Sequence, residues 1–212
     1  DQLPEEAAFQ MGVLGNVFVN CVLKYKSFVV IDVYDFPNSA VAIANNEFNS
    51  LHLSGFYVET MISVMSANRL SLKSNLLFNL TGDGYAIHAL NFAQNKFMKL
   101  SDNTVTSCIG PGYLKITAPA TKFLIITHNN FANSIFNSTV FLLNMQANEK
   151  EVIFSNNSIM NLNIGSNVRI QVPIRLLYLK TPINIDGDYI VFSNNVFCTI
   201  GFLKKDPFIT SV

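Results

Sequence analysis

The sequence predicts an all-β chain built from repeats, and three observations carry that reading. Short runs such as Phe28-Val29-Val30-Ile31, Phe123-Leu124-Ile125-Ile126 and Tyr189-Ile190-Val191-Phe192 are rich in β-branched and aromatic residues, as strands are. Long helical periodicities are missing. Seven asparagines, Asn16, Asn46, Asn75, Asn95, Asn129, Asn157 and Asn195, share one frame of apolar neighbours. Asparagine supplies 26 of the 212 residues and phenylalanine 18, so a turn-forming amide and a large apolar ring dominate the composition.

Each position of the frame has a physical reason. Five residues before each asparagine stands Met11, Val41, Leu70, Leu90, Leu124, Val152 or Ile190, and three before it Val13, Ile43, Leu72, Phe92, Ile126, Phe154 or Phe192. Alternate side chains of a strand share a face, so both positions are expected inside. The asparagine is expected to turn the chain, because Asn tolerates the left-handed conformation of a tight bend and its amide bonds to nearby backbone. Two residues later Phe18, Phe48, Leu77, Phe97, Phe131, Ile159 or Phe197 opens the next strand. Spacings of 30, 29, 20, 34, 28 and 38 residues leave room for two or three short strands per repeat, with loops of variable length.

The flanks differ from the repeats. Leu3-Pro4-Glu5-Glu6-Ala7-Ala8-Phe9-Gln10-Met11-Gly12 has Pro and acidic residues in front and Gly behind, which suits one short capping helix within residues 1–12. A frayed terminus is the alternative. The repeats fill residues 13–203. Leu203-Lys204-Lys205-Asp206-Pro207 then breaks the pattern, so residues 204–212 read as a tail or as continuation into further chain. The first residue is Asp1, which fits either a removed signal peptide or a piece of something longer.

The frame is clearest in Val152-Ile153-Phe154-Ser155-Asn156-Asn157-Ser158-Ile159, Ile190-Val191-Phe192-Ser193-Asn194-Asn195-Val196-Phe197 and Ala42-Ile43-Ala44-Asn45-Asn46-Glu47-Phe48. In these segments the chain resembles the right-handed parallel β-helix repeat family, the pectin-lyase-like superfamily, over residues 11–203. The resemblance implies about seven coils stacked along an axis, with an internal asparagine ladder at one corner. At a strand spacing of ~4.8 Å such a stack is roughly 30 Å long.

Composition narrows the function. The 14 basic and 14 acidic residues cancel, and the basic ones are scattered, which leaves no electrostatic footprint for nucleic acid. Every hydrophobic run is shorter than the ~18 residues a spanning helix needs. Cys21, Cys108 and Cys198 are far apart, with no metal-type grouping with His52, His88 or His128, so no metal and no cofactor is expected.

The resemblance makes polysaccharide cleavage the enzyme hypothesis, but its motifs are missing. The polygalacturonase branch carries an Asn-Thr-Asp segment and a Gly-His-Gly segment, whereas here Asn103-Thr104 is followed by Val105 and Gly-His-Gly is absent. The pectate lyase branch carries Arg-x-Pro-x-x-Arg, from which Arg169-Ile170-Gln171-Val172-Pro173-Ile174-Arg175 departs in spacing. A glycosidase needs two carboxyls ~5 to 9.5 Å apart, and Asp186 and Asp188, either side of Gly187, are the candidates. Asp-Gly-Asp is equally an ordinary turn. His128 reads as a corner residue, in the place of the first Asn of a doublet. Sequons at Asn79 and Asn137 are candidate glycosylation sites, whereas Asn156, also in a sequon, falls in the corner frame where a glycan is expected to clash.

The expectation is therefore a non-catalytic structural or binding module of a secreted, cell-surface or virion protein. A mean hydropathy of +0.30 with 13% charged residues points to apolar surface that meets other chains, in a homo-oligomer or larger assembly. Carbohydrate is the second partner class, with Tyr34, Tyr57, Tyr113 and Tyr178 as stacking platforms if exposed. A polysaccharide lyase or glycoside hydrolase using Asp186 and Asp188 is the alternative.

Overall fold

The computed structural model describes residues 9–23, 29–33, 38–53, 60–65, 67–82, 85–90, 97–110, 112–117, 121–136, 140–145, 150–164, 177–179, 187–202 and 209–211. These residues form a parallel β-solenoid. The first sheet stacks Phe9–Leu14, Ser39–Ala44, Arg69–Lys73, Phe97–Ser101, Phe123–Thr127, Glu151–Ser155 and Tyr189–Ser193 in that order, which is also chain order. The second carries the strands that follow each asparagine, from Val17–Val19 to Val196–Phe202. A third runs from Val29–Asp32 to Ile209–Ser211. Every pairing described is parallel and in register, so equivalent residues of successive coils lie above one another.

Equivalent positions therefore make columns of like side chains. In the first sheet Val41 and Ile43, Leu70 and Leu72, Met98 and Leu100, Leu124 and Ile126, and Val152 and Phe154 are buried, following the period of two. After the corner Phe48, Leu77, Val105, Phe131 and Ile159 continue the core. Tyr113, Phe131, Phe141 and Phe154 pack edge to face across it, with centroids 4.9 to 5.9 Å apart.

The corner differs from the expectation in one respect. The left-handed residue is the one before each ladder asparagine: Gly15, Asn45, Ser74, Asp102, His128, Asn156 and Asn194, at φ of 52° to 65°. His128 is thus a corner residue, as expected. A second left-handed corner falls five residues further on, at Asn20, Ser50, Asn79, Ser107, Asn133, Asn161 and Thr199. Short polar side chains suit these positions because they tolerate φ above zero. Thr199, β-branched and left-handed, is the costly member.

The ladder asparagine itself faces inward. Its backbone N–H and side-chain amide both donate to the Oδ1 of the next asparagine: Asn46 to Asn75 at 3.2 and 3.0 Å, and Asn75 to Asn103 at 3.0 and 3.0 Å. Asn103 continues to Asn129, and Asn129 to Asn157. The second amide hydrogen reaches back to the previous coil, as from Asn75 to Ile43 O at 2.8 Å and from Asn103 to Leu72 O at 3.0 Å. The amide can therefore be enclosed without an unpaired group.

Two expectations about the ladder need correction. The rung between Asn75 and Asn129 is Asn103, not Asn95, which lies outside the described residues; Met98, Leu100 and Val105 fill that coil's inward positions. The fully enclosed ladder runs from Asn46 to Asn157, about four turns rather than seven. Asn16 and Asn195 join it from the more open coils at the two ends.

The flanks also differ. Residues 9–12, expected at the end of a helical cap, lie in the first strand, Phe9–Leu14, which pairs with Ser39–Ala44. Residues 1–8 lie outside the described residues. Ile209–Ser211, in the segment expected as a tail or as continuation into further chain, pairs with Leu177–Leu179 and extends the third sheet.

Candidate functional site

Of the two carboxylates offered for catalysis, Asp188 is among the described residues. Asp188 precedes the strand Tyr189–Ser193, and its side chain is enclosed. Its Oδ2 is 2.5 Å from Nζ of Lys150, itself 2% exposed, and its Oδ1 accepts from the Lys150 backbone N–H at 3.1 Å. An enclosed carboxylate held by a lysine is not presented to a sugar. Asp186 lies outside the described residues. Among the described residues, no three His, Cys, Asp or Glu side chains group as metal ligands would.

Lys150 and Asp188 each stand seven residues before their ladder asparagine, at the start of the first sheet. The same position in earlier coils holds Ser39 and Asn68, both buried, with the Asn68 N–H donating to Ser39 Oγ at 3.3 Å. This position thus holds one buried polar pair at Ser39 and Asn68 and another at Lys150 and Asp188, while Lys122, at the same position between them, is exposed. Extending the repeated frame two residues upstream is the sequence signal for this position.

The other candidates are dispersed. His52 Nδ1 is 2.7 Å from Thr81 Oγ1, across the paired strands His52–Leu53 and Thr81–Gly82, and His128 Nδ1 is 2.9 Å from Thr127 Oγ1. His88 lies in the third sheet opposite Ser63 and Lys115. Tyr113 is fully buried, which removes it as a sugar platform. Tyr34 and Tyr57 lie outside the described residues, and Tyr178 stands in the third sheet opposite Leu142 and Thr210. Asn79 is exposed at a left-handed corner, and Asn156, expected to be crowded, is equally exposed at another. Asn137 lies outside the described residues.

The three thiols have different environments. Cys198 is exposed and Cys21 half-buried, while Cys108 is enclosed at the inward position after the second corner. Burial pushes the Cys108 thiol up to about 11, against the smaller opposing effect of backbone hydrogen bonds. Between its ordinary value of 9.0 and about 11 the folded chain retains a proton that the unfolded chain has lost, so stability falls as pH rises through that window. Tyr113, raised chiefly by desolvation, acts in the same direction. The expected loss for Cys108 is on the order of 2 kcal/mol. Urea midpoints at pH 8 and 10.5 measure it, and the fall should be smaller in Cys108→Ala than in the parent chain.

The ends of the solenoid are its least satisfied surface. On the first coil Leu14, Val17, Val19 and Val22 are exposed, Val17 by 65%. On the last, Tyr189, Phe192, Val196 and Phe197 are exposed, Tyr189 by 59%. Met11 and Phe192 belong to columns that are buried in the middle coils. Apolar exposure also occurs on the outer faces, at Ile109 and Ile135. The repeat pattern marked Met11, Phe192 and Phe197 as core but contained nothing to mark them as lacking a neighbour, whereas Val17, Val22, Tyr189 and Val196 stand in outward columns that are exposed in the middle coils too.

Comparison with protein-family models, with curated proteins and with solved structures gives no match.

Proposed function

We propose that this chain is a non-catalytic structural or binding module, a β-helix of the pectin-lyase-like superfamily. On this reading it belongs to a secreted, cell-surface or virion protein. It packs with other chains, in a homo-oligomer or larger assembly, and carbohydrate is a secondary contact. The observation that carries the reading is the exposure of core-type side chains on both end coils. Apolar surface of this kind marks interaction sites. The enclosure of Asp188 with Lys150 weighs against the polysaccharide-cleaving alternative. The exposed sequon asparagines Asn79 and Asn156 are compatible with an extracellular setting.

Native mass spectrometry of material from the natural source, with and without glycan removal, tests the proposal. Assemblies of more than one chain are expected. A monomer that cleaves a polysaccharide, and loses that activity in Asp188→Asn, would overturn it.

A further inference from the structure

The two ends of the solenoid are complementary to each other. At the last coil, Asn195 accepts from Asn157 and donates one amide hydrogen to Phe154 O at 2.8 Å. Its backbone N–H and second amide hydrogen, the groups every earlier ladder asparagine uses to reach the next Oδ1, have no acceptor among the described residues. At the first coil, Asn16 donates its backbone N–H and one amide hydrogen to Asn46, and its other amide hydrogen turns to the carbonyl of Leu14 at 3.1 Å. In every later coil that hydrogen crosses to the coil before, as from Asn46 to Val13 O. The Oδ1 of Asn16 has no donor among the described residues. One end thus presents the donors of the ladder and the other end the matching acceptor.

Four strands of the end coils have unguarded edges, although the end strand of the third sheet, Val29–Asp32, carries Asp32. Phe9–Leu14, Val17–Val19, Tyr189–Ser193 and Val196–Phe202 contain no charged residue and no proline. Charge and proline are the usual protection of an open edge, and these four strands lack both.

We propose that a second copy of this chain stacks head to tail on the first, its Asn16 coil seated on the Asn195 coil, so that the ladder and the parallel sheets run on from copy to copy. The inference rests on the reading of the chain as an assembling module and names its partner. Asn195 then donates to Asn16 Oδ1 of the next copy, and that Asn16 donates to the Phe192 carbonyl. Carrying the register of the stack forward sets Ile190 against Met11, Phe192 against Val13 and Phe197 against Phe18. The contact is heterologous and does not close on itself, so it generates open rods.

The register provides the test. Val19 and Cys198 both stand three residues after their ladder asparagine, both are exposed, and stacking places them directly opposite. Adjacent parallel strands hold such Cα atoms about 4.8 Å apart, within the range a disulfide spans. Val19→Cys of the full chain, oxidised at micromolar concentration, should give a reducible series of dimers, trimers and longer species. The cross-linked fraction should exceed that of Val19→Cys/Cys198→Ser by about tenfold, if both thiols are as accessible as their exposure implies. Met11→Lys, which places a charge on the open end, should shift the sedimenting species of the parent chain to monomer.

Assemblies seen by native mass spectrometry without this cross-link would overturn head-to-tail stacking and leave the module reading standing with a different chain as partner. A chain monomeric at every concentration, with no cross-link and no other chain bound, would overturn both.

Discussion

Replacing Asn103 by alanine is expected to cost about 3 to 5 kcal/mol, because each buried group left unpaired costs ~1–3 kcal/mol. Asn103 is 1% exposed, and its Oδ1 is the acceptor of both the backbone N–H and the side-chain amide of Asn75. Its amide also covers Leu72 O and reaches Asn129 Oδ1. Alanine orphans two donors and one carbonyl, while the Asn103 backbone N–H still serves Asn129. Asn103→Asp does not repair the site, since a carboxylate accepts but cannot donate and brings a charge into the core. Asn16→Ala, on the exposed first coil, removes only the amide's own donations to Asn46 Oδ1 and Leu14 O, where water can replace them, and should cost less than ~1 kcal/mol. Urea unfolding followed by circular dichroism measures both. A cost for Asn103→Ala no larger than for Asn16→Ala would mean that the ladder carries no burial-dependent energy.

The same residue shows how far the sequence could be read. Strands and inward positions were legible because the period of two and the offset of the asparagine are local properties, set by backbone geometry within eight residues. Choosing between Asn95 and Asn103 needed a non-local criterion. Both have apolar residues five and three before and two after: Leu90, Phe92 and Phe97, or Met98, Leu100 and Val105. Coils stacked in register demand nearly constant path length, and with Asn103 the ladder steps are 30, 29, 28, 26, 28 and 38 residues. With Asn95 two of them become 20 and 34. The left-handed residue was misplaced by one position because Asn-Asn doublets offer two equivalent amides. In the coils of Ser74, Asp102 and His128 the residue at that corner is not asparagine, and those coils separate the two roles. The Lys150–Asp188 pair was hidden for another reason: its partners are 38 residues apart, and charge alone reads as exposed.

That pair gives the second large effect. Lys150→Met is expected to destabilise the chain by about 3 to 5 kcal/mol, because removing one partner leaves an uncompensated buried charge. The Asp188 side chain is fully enclosed, and the backbone N–H of Lys150 still donates to its Oδ1, but the ammonium on Oδ2 is gone. Asp188→Leu alone should cost a similar amount for the mirrored reason. Lys150→Met/Asp188→Leu should recover most of the loss, since apolar side chains of similar volume often replace a buried pair without penalty. The last ladder step is also the longest, so more chain separates this coil from its docking site than any other. Every earlier strand of the first sheet is an alternative parallel template with the same inward columns. Lys96 and Lys122 also stand seven residues before their ladder asparagines, so the pair fixes register rather than template, since a slip of one residue moves every inward side chain outward. The double variant should therefore regain stability but lose uniqueness at this coil. Hydrogen exchange over residues 189–202 reads the difference: recovered global stability with faster exchange there assigns the pair to register, whereas recovered protection would leave the ladder and apolar columns as sufficient to place the coil.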